Sequence, residues 1–147
     1  MTTSEIALLD TNILVYAADD SSPFHAPSQK LRDKGLAGEI TLCLCPQILT
    51  EFYAVITDSK RVTNPREPAE AIAEIKKYLS AKSMLKIYPG DGITEKMLEL
   101  LEKYQVTRQS IFDVQLVATM LSHGITKIYT YNQEHFTKFG EIEVLSP

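Results

Sequence analysis

The sequence predicts an α/β domain with a mostly parallel central sheet and helices on both faces. Two observations support this prediction. Short apolar runs alternate with segments of helical periodicity, in a β-α-β-α order. The first apolar run, at 6–9, is continuous rather than alternating, which is typical of a strand that is buried on both faces. Because 147 residues suit one domain, we expect residues 1–147 to form a single unit.

The composition excludes several classes of protein. Hydrophobic residues make up 44% of the chain and charged residues 23%, which argues against a disordered or coiled-coil protein. No apolar run approaches the roughly 20 residues of a membrane span, and the first ten residues lack the basic start of a signal peptide. Cys43 and Cys45 are one residue apart, a spacing that fits neither a zinc site nor a disulfide framework. We therefore expect a cytoplasmic protein without a membrane partner.

The charge is distributed unevenly along the chain. The net charge of -4 argues against a protein that binds nucleic acid passively through charge alone. The segment 59–90 nevertheless carries a charge of +4, because it contains seven Lys or Arg and three Glu, whereas the rest of the chain carries -8. This basic segment is either a local anion-binding face or a solvated helix surface.

Capping and turn signals divide the first half of the chain. Asp10, Thr11 and Asn12 supply helix-capping side chains directly after the first strand, and the polar cluster at 19–23 predicts a turn. Gly35 or Gly38 is expected to end the second helix. The predicted elements of this half are a strand at 6–9, a helix at 13–17, a helix at 28–34, a strand at 41–45 and a helix that begins at Pro46.

The second half continues the alternation after a loop at 58–68, which contains two prolines. The helix at 69–79 is expected to bury Ile72, Ile75 and Leu79 on one face. The remaining predicted elements are a strand at 84–88, a helix marked by Met97, Leu98, Leu101 and Tyr104, a helix marked by Phe112, Leu116, Val117, Met120 and Leu121, a strand at 127–130 and a strand at 143–145.

Four polar residues have positions that suit a functional site. Asp10 ends the first strand and Asn132 follows the fourth, and open α/β sheets bind ligands at the carboxyl ends of their strands. Glu51 and Asp113 lie inside apolar patterns, and a partly buried carboxylate is costly unless it is paired or bound to a metal. Converging carboxylates would repel one another and raise their pKa values, which a divalent cation would relieve. Because oxygen ligands favour Mg²⁺ or Mn²⁺ over zinc, we expect such an ion.

Each of these residues also has a purely structural interpretation. Asp10 suits a helix cap, and Glu51 suits the solvent-facing edge of its helix. Ser110 and Asp113 have the spacing of a capping box, and Asn132 suits a turn. The three histidines have no ligand spacing and are interpreted as surface or packing residues: His25, His123 and His135.

Four segments of the chain occur in an order that a known family shares. Segment 8–17 holds the first acid, 49–53 the second and 110–118 the third, while 128–136 holds the closing strand and turn. In this order they resemble the PIN-domain ribonucleases, and in particular the VapC-type toxins of toxin–antitoxin pairs. The loop at 57–65 also resembles a segment common in VapC-like chains.

The resemblance implies an endonuclease that uses Mg²⁺ or Mn²⁺ to hydrolyse RNA and leaves a 5′-phosphate. Asp10 and Asp113 would hold the metal, and Glu51 would complete the acidic cluster directly or through water. Asn132 stands where many PIN domains have a fourth acid, which leaves open whether one or two ions bind. Glu134 could supply the missing acid, but it lies two residues after Asn132 and so does not match the position of the family's fourth acid. The residues expected to support the site are Thr11, Asn12 and Thr130.

The resemblance also implies partners. Lys60, Arg61 and Arg66 are the candidates for binding the RNA backbone, with Arg108 as a second choice. A VapC-type toxin would form a homodimer, and a small antitoxin protein would cover its cleft.

Three other functions remain open from the sequence. An aspartyl phosphatase would use Asp10 as a nucleophile, but that class usually has a second acid two residues later, where this chain has Asn12. A non-catalytic binding module would use Asp113 only as a helix cap. A housekeeping RNA-processing nuclease would share the chemistry but have no antitoxin.

Overall fold

The computed structural model describes residues 5–147. Within this range the chain forms five strands and six α-helices, and none of the helices is both long and apolar enough to cross a membrane. Two 3-10 turns occur at Arg108–Ser110 and Gln133–His135. The elements are β1 (Ala7–Leu9), α1 (Thr11–Ala18), α2 (His25–Leu36), β2 (Leu42–Leu44), α3 (Pro46–Ile56), α4 (Pro68–Ser80), β3 (Met84–Lys86), α5 (Ile93–Tyr104), α6 (Ile111–Ser122), β4 (Lys127–Tyr129) and β5 (Glu143–Leu145).

The strands form one parallel sheet in the order β3-β2-β1-β4-β5. Leu8 of the central strand is in register with Cys43 on one side and Ile128 on the other. Because crossovers between parallel strands are right-handed, the helices between β1 and β3 cover one face and those between β3 and β4 cover the other. The contacts agree, since α1 packs on α2 and α3, while α5 packs on α6. The predicted α/β architecture is confirmed.

The central strands are buried on both faces. All residues of β1 and β2 are buried, and Leu8, Leu9, Cys43 and Leu44 are fully inaccessible. This burial explains why both strands read as continuous apolar runs in the sequence. The two cysteines are core residues with free thiols.

Helix α2 ends near its two glycines, but the glycines have different roles. The helix continues through Gly35 to Leu36, and a Cβ atom on Gly35 would lie 2.6 Å from Cδ1 of Leu42 in β2. Gly38 follows with a φ of +76°, a conformation that favours glycine. Gly35 therefore permits close packing of α2 on the sheet, and Gly38 supplies the turn after it.

The predicted apolar face of α4 is wrong for Ile72 and Leu79, whereas Ile75 is partly buried and packs against the core as predicted. Ile72 and Leu79 are 45% and 50% exposed, whereas Ala71 and Tyr78 are buried. The Tyr78 ring packs edge-on against Phe52 of α3, with 6.3 Å between the ring centroids. Since α4 meets α3 through this flank, its neighbouring flank with Ile72 and Leu79 faces outward. Periodicity identified a helix with two apolar flanks and could not tell which of them is covered.

Candidate active site

A cleft of about 680 Å³ lies where β1 and β4 end. The predicted acids Asp10, Glu51 and Asp113 all line it, together with Asn132. They come from four separate elements: the residue after β1, the middle of α3, the first turn of α6 and the turn after β4. The fold therefore brings together the four residues that the sequence singled out.

Asp10 is held by three donors. Its Oδ1 atom accepts a hydrogen bond from the backbone N–H of Thr11 at 2.8 Å, which makes Asp10 the N-cap of α1. Its Oδ2 atom accepts from the Thr130 hydroxyl at 2.8 Å and from Nδ2 of Asn12 at 3.4 Å. The carboxylate is only 8% exposed. All three residues predicted to support the site therefore contact this acid.

Thr130 joins the end of β4 to the acid on β1. Besides donating to Asp10, its hydroxyl oxygen accepts from the backbone N–H of Asn132 at 2.9 Å and from Asn12 at 3.2 Å. Oδ1 of Asn12 accepts in turn from the backbone N–H of Tyr131 at 3.2 Å. This network fixes the turn that carries Asn132 against the first acid.

Glu51 is exposed, but both of its oxygens are engaged. The Thr11 hydroxyl donates to Oε2 at 2.9 Å, and Nε2 of Gln47 lies 3.4 Å from Oε1. The same Gln47 nitrogen donates to the backbone carbonyl of Phe112 at 3.1 Å. Gln47 thus connects the second acid to the start of α6. Gln47 was not predicted from the sequence, although its position four residues before Glu51 on one helix was a usable signal.

The capping-box interpretation of Asp113 is wrong. Ser110 has helical backbone angles, φ −61° and ψ −13°, and its side chain makes no capping hydrogen bond. The reason is the 3-10 turn at Arg108–Ser110, which runs directly into α6, whereas a capping residue needs an extended backbone. The carboxylate of Asp113 instead lines the cleft, where its Oδ2 atom lies 3.8 Å from Nδ1 of His135.

Two of the acids have a raised pKa. Burial is the main cause of the raised pKa of Asp10, and the charges of Glu51 and Asp113 add to it, while the hydrogen bonds from Thr130 and Thr11 oppose it. Burial likewise raises the pKa of Asp113, against the lowering effect of His135 and Lys138. Positive charge in the cleft would favour the ionised form of both carboxyl groups.

The donor set fits a hydrated divalent cation. Within residues 5–147, no three His, Cys, Asp or Glu side chains are close enough to hold one ion directly. Mg²⁺ typically keeps several waters and binds through one or two carboxylates, and Mn²⁺ also prefers oxygen donors. The carboxylates of Asp10, which is buried, and of Asp113, which is partly buried, meet that requirement, whereas the described residues form no fully dehydrated protein cage.

The basic residues predicted to bind RNA lie in different places. Arg61 lines the cleft. The guanidinium of Arg66 donates to the backbone carbonyl of Ala18 at 2.6 Å, which gives it a structural contact. Lys60 and Arg108 are exposed and are not among the residues that line the cleft.

Three residues near the end of the chain also line the cleft: Glu134, His135 and Lys138. His135 is exposed, as predicted for a surface residue, but it faces Asp113. Lys138 was not predicted, because it follows an irregular turn where no periodicity relates it to the acids. Its position directly before the buried Phe139 was the available hint that this turn is anchored.

Known proteins provide an independent comparison. The family model described as PIN domain matches residues 7–142. Ribonuclease VapC24 of Mycobacterium tuberculosis is 28% identical over 139 residues, which cover 95% of this chain and 94% of that protein. Ribonuclease VapC48 of the same organism is 25% identical over 138 residues, with 94% of each chain covered.

Solved structures share the fold at lower sequence identity. The crystal structure of Mycobacterium tuberculosis VapC20, described as a Sarcin-Ricin loop cleaving toxin, has a TM-score of 0.70 and 16% identity, with 97% of this chain and 99% of that chain covered. VapBC2 from Rickettsia felis, bound to a DNA fragment from its promoter, has a TM-score of 0.65 and 19% identity, with 97% and 98% covered. At these identities the similarity concerns the fold alone.

Proposed function

The chain belongs to the PIN-domain family, and from this premise we propose that it is a divalent-metal-dependent endoribonuclease and the toxin of a toxin–antitoxin pair. The observation that carries the proposal is the convergence of Asp10, Glu51 and Asp113 in one cleft at the carboxyl ends of the strands. A helix cap or a solvent-facing glutamate would not require the three acids to meet. The names of the curated relatives, which are ribonucleases, support the same function.

The acids have distinct roles in this proposal. Asp10 and Asp113 would hold a Mg²⁺ or Mn²⁺ ion, and Glu51 and Asn132 would contact it through water. When bound, such an ion lowers the pKa of a coordinated water and neutralises charge on a phosphoryl oxygen. Thr130 and Asn12 fix the orientation of the Asp10 carboxylate through their hydrogen bonds. Glu51, held by Thr11 and Gln47, orients the attacking water.

The basic residues hold the substrate. Arg61 and Lys138 line the same cleft as the acids, and each is placed to contact a backbone phosphate. Such contacts fix the position of the RNA strand without reading its sequence. They also offset the repulsion between RNA and the carboxylates.

The toxin role is supported by the structural relatives, several of which are VapBC or other toxin–antitoxin complexes. We therefore propose a small antitoxin protein as the partner. A homodimer and a cytoplasmic location also remain predictions. A housekeeping nuclease would have the same chemistry, and the discriminating observation is whether a short reading frame for a small protein adjoins the gene.

The proposal is tested by cleavage of a pool of labelled RNAs with purified protein. The reactions contain Mg²⁺, Mn²⁺ or EDTA, and wild type is compared with Asp10→Asn. Asp91→Asn is the matched control, because Asp91 is an exposed aspartate that does not line the cleft. We expect metal-dependent cleavage by wild type and Asp91→Asn, and its loss in Asp10→Asn.

Two results would contradict the nuclease. Cleavage that persists in Asp10→Asn would separate the activity from this cleft. A folded wild type that neither cleaves RNA nor binds Mg²⁺ or Mn²⁺ in calorimetry would favour the non-catalytic binding module.

A further inference from the structure

Phe112 is an apolar residue with an unexpected location. It lies in the first turn of α6, directly before Asp113, and is one of the residues that line the cleft. The residue is 53% exposed and is not among the described side chains that pack on the core. The sequence pattern assigned Phe112 to the buried face of α6, so this exposure needs an explanation.

The other aromatic residue that lines the cleft differs in its packing. The ring of Tyr16 packs against Phe24 and Tyr131, with centroid distances of 5.2 and 5.4 Å. Its faces are therefore already used by the protein. Among the residues that the structure describes, no aromatic ring packs against Phe112 in this way. Its backbone is held in place because its carbonyl accepts the hydrogen bond from Gln47.

The surroundings of Phe112 favour a nucleic-acid base over an apolar protein segment. The rest of the cleft is mainly polar: it contains four carboxylates and Asn132, together with Arg61 and Lys138. An exposed ring in the same cleft as cations is the combination that binds single-stranded nucleic acid, since the ring stacks on a base and the cations contact phosphates. A protein partner that docks through apolar contacts would need a wider apolar patch.

We propose that Phe112 is a stacking platform for an unpaired base adjoining the phosphate to be cleaved. This inference rests on the proposed nuclease function. A base within a duplex has both faces covered by its neighbours, so it cannot stack on the ring without first leaving the helix. The position beside Asp113 puts the platform next to the acids, so a stacked base also fixes which phosphate approaches them.

The test measures binding apart from cleavage. Proteins carrying Asp10→Asn keep the RNA intact, and their affinity is measured by fluorescence anisotropy. The probes are a labelled oligoadenylate strand, the same strand paired with oligouridylate, and a strand of the same length made of abasic units. The variants are Phe112→Ala, Phe112→Leu and Phe112→Trp. Tyr88→Ala is the matched control, because Tyr88 is 54% exposed but does not line the cleft.

We expect Phe112→Ala to weaken binding of oligoadenylate about tenfold, the effect of losing one base–aromatic contact. The abasic strand and the duplex should bind with unchanged affinity. Phe112→Trp should retain the wild-type affinity, Phe112→Leu should lose it, and Tyr88→Ala should have no effect. Thermal melting of each variant checks that the fold is intact.

The inference is overturned if Phe112→Ala leaves oligoadenylate binding unchanged, if it weakens the abasic strand equally, or if Phe112→Leu binds as well as wild type. The first of these results would mean that the Phe112 ring contacts a protein, such as the antitoxin, instead of a base. The two proposals can fail separately. If wild type cleaves RNA but substitution of Phe112 does not change the affinity for RNA, only the stacking role is removed. If the affinity depends on Phe112 but wild type cleaves no RNA, only the nuclease function is removed.

Discussion

Asp10 performs two tasks with one carboxylate. One oxygen caps α1 through the backbone N–H of Thr11, and the other accepts from Thr130 and Asn12. Capping α1 is the structural role expected for an acid at this position. The second role, in the cleft, requires the carboxylate to be buried, which is energetically costly. The two interpretations of Asp10 were thus not alternatives, because the residue that begins the helix is also the residue that the fold brings to the cleft.

Asp113 offers a pH-dependent test at the residue scale. Its folded-state pKa is raised, so the stability contributed by this group is complete below the ordinary pKa of 3.8 and is lost as the pH rises through the raised pKa. In EDTA, Asp113→Asn should therefore melt at a higher temperature than wild type at about pH 7. The difference should shrink as the pH falls toward 3.8, and differential scanning calorimetry would measure it.

Two results would speak against this assignment. If Asp113→Asn melts below wild type at neutral pH, the carboxylate stabilises the fold as a cap would. If the difference does not change with pH, ionisation of Asp113 is not its cause.

At the scale of elements, the start of α6 explains why Asp113, which has the sequence spacing of a capping residue, lines the cleft instead. The 3-10 turn at Arg108–Ser110 replaces the extended residue that normally precedes a helix. The start of α4 is the contrasting case, because there Glu67 is extended and its backbone N–H donates to the Glu70 side chain at 3.0 Å. In both helices an acid lies three residues after the residue that precedes the helix. The backbone of that preceding residue differs, because it is extended at Glu67 and helical at Ser110.

This contrast predicts different costs for two substitutions. Ser110→Ala should change the free energy of unfolding by less than about 0.5 kcal/mol, as expected for a side chain without a capping bond. Glu70→Ala should cost about 1 kcal/mol, because it removes half of a capping box. Urea denaturation of both variants measures the difference. A loss of about 1 kcal/mol for Ser110→Ala would mean that Ser110 caps α6 in solution.

The elements also show which features of the fold and the site the sequence could predict. The strands and the acids were predictable, because continuous apolar runs mark buried strands and ligands gather at strand ends. The exposure of Ile72, Leu79 and Phe112 was not, since periodicity finds an apolar flank without saying what covers it. Lys138 was missed for a related reason: it reaches the cleft through an irregular turn, and its neighbours there are distant in the sequence.

At the scale of the whole molecule, the negative charge of the protein and of its cleft opposes the binding of the proposed RNA substrate. The protein carries a charge of -4, and three acids meet in the site, yet the proposed substrate is a polyanion. Arg61 and Lys138 are the basic side chains that line the cleft within the described residues. Most other cations, including Lys60 and Arg66, are therefore less direct candidates than their sequence position suggested.

This arrangement predicts the salt dependence of RNA binding. Arg61→Gln and Lys138→Gln, each in the Asp10→Asn background, should weaken binding of single-stranded RNA and reduce the slope of log K against log salt by about 0.7 each. Lys76→Gln is the matched control, because Lys76 is exposed on α4 and does not line the cleft. Titrations at several salt concentrations measure the slope, and equal slopes in all variants would place the RNA elsewhere.

The hydrogen bond between Asp10 and Thr130 joins residues 120 positions apart, and this separation has a consequence for synthesis. A ribosome that adds about 5–20 residues each second makes Asp10 and Glu51 many seconds before it reaches Thr130. The nascent chain can fold its first helices during that interval, but the first acid then lacks its threonine and the third acid is still being made. The cleft is assembled only when translation of the domain is nearly finished, so the unfinished nascent chain does not contain a complete site.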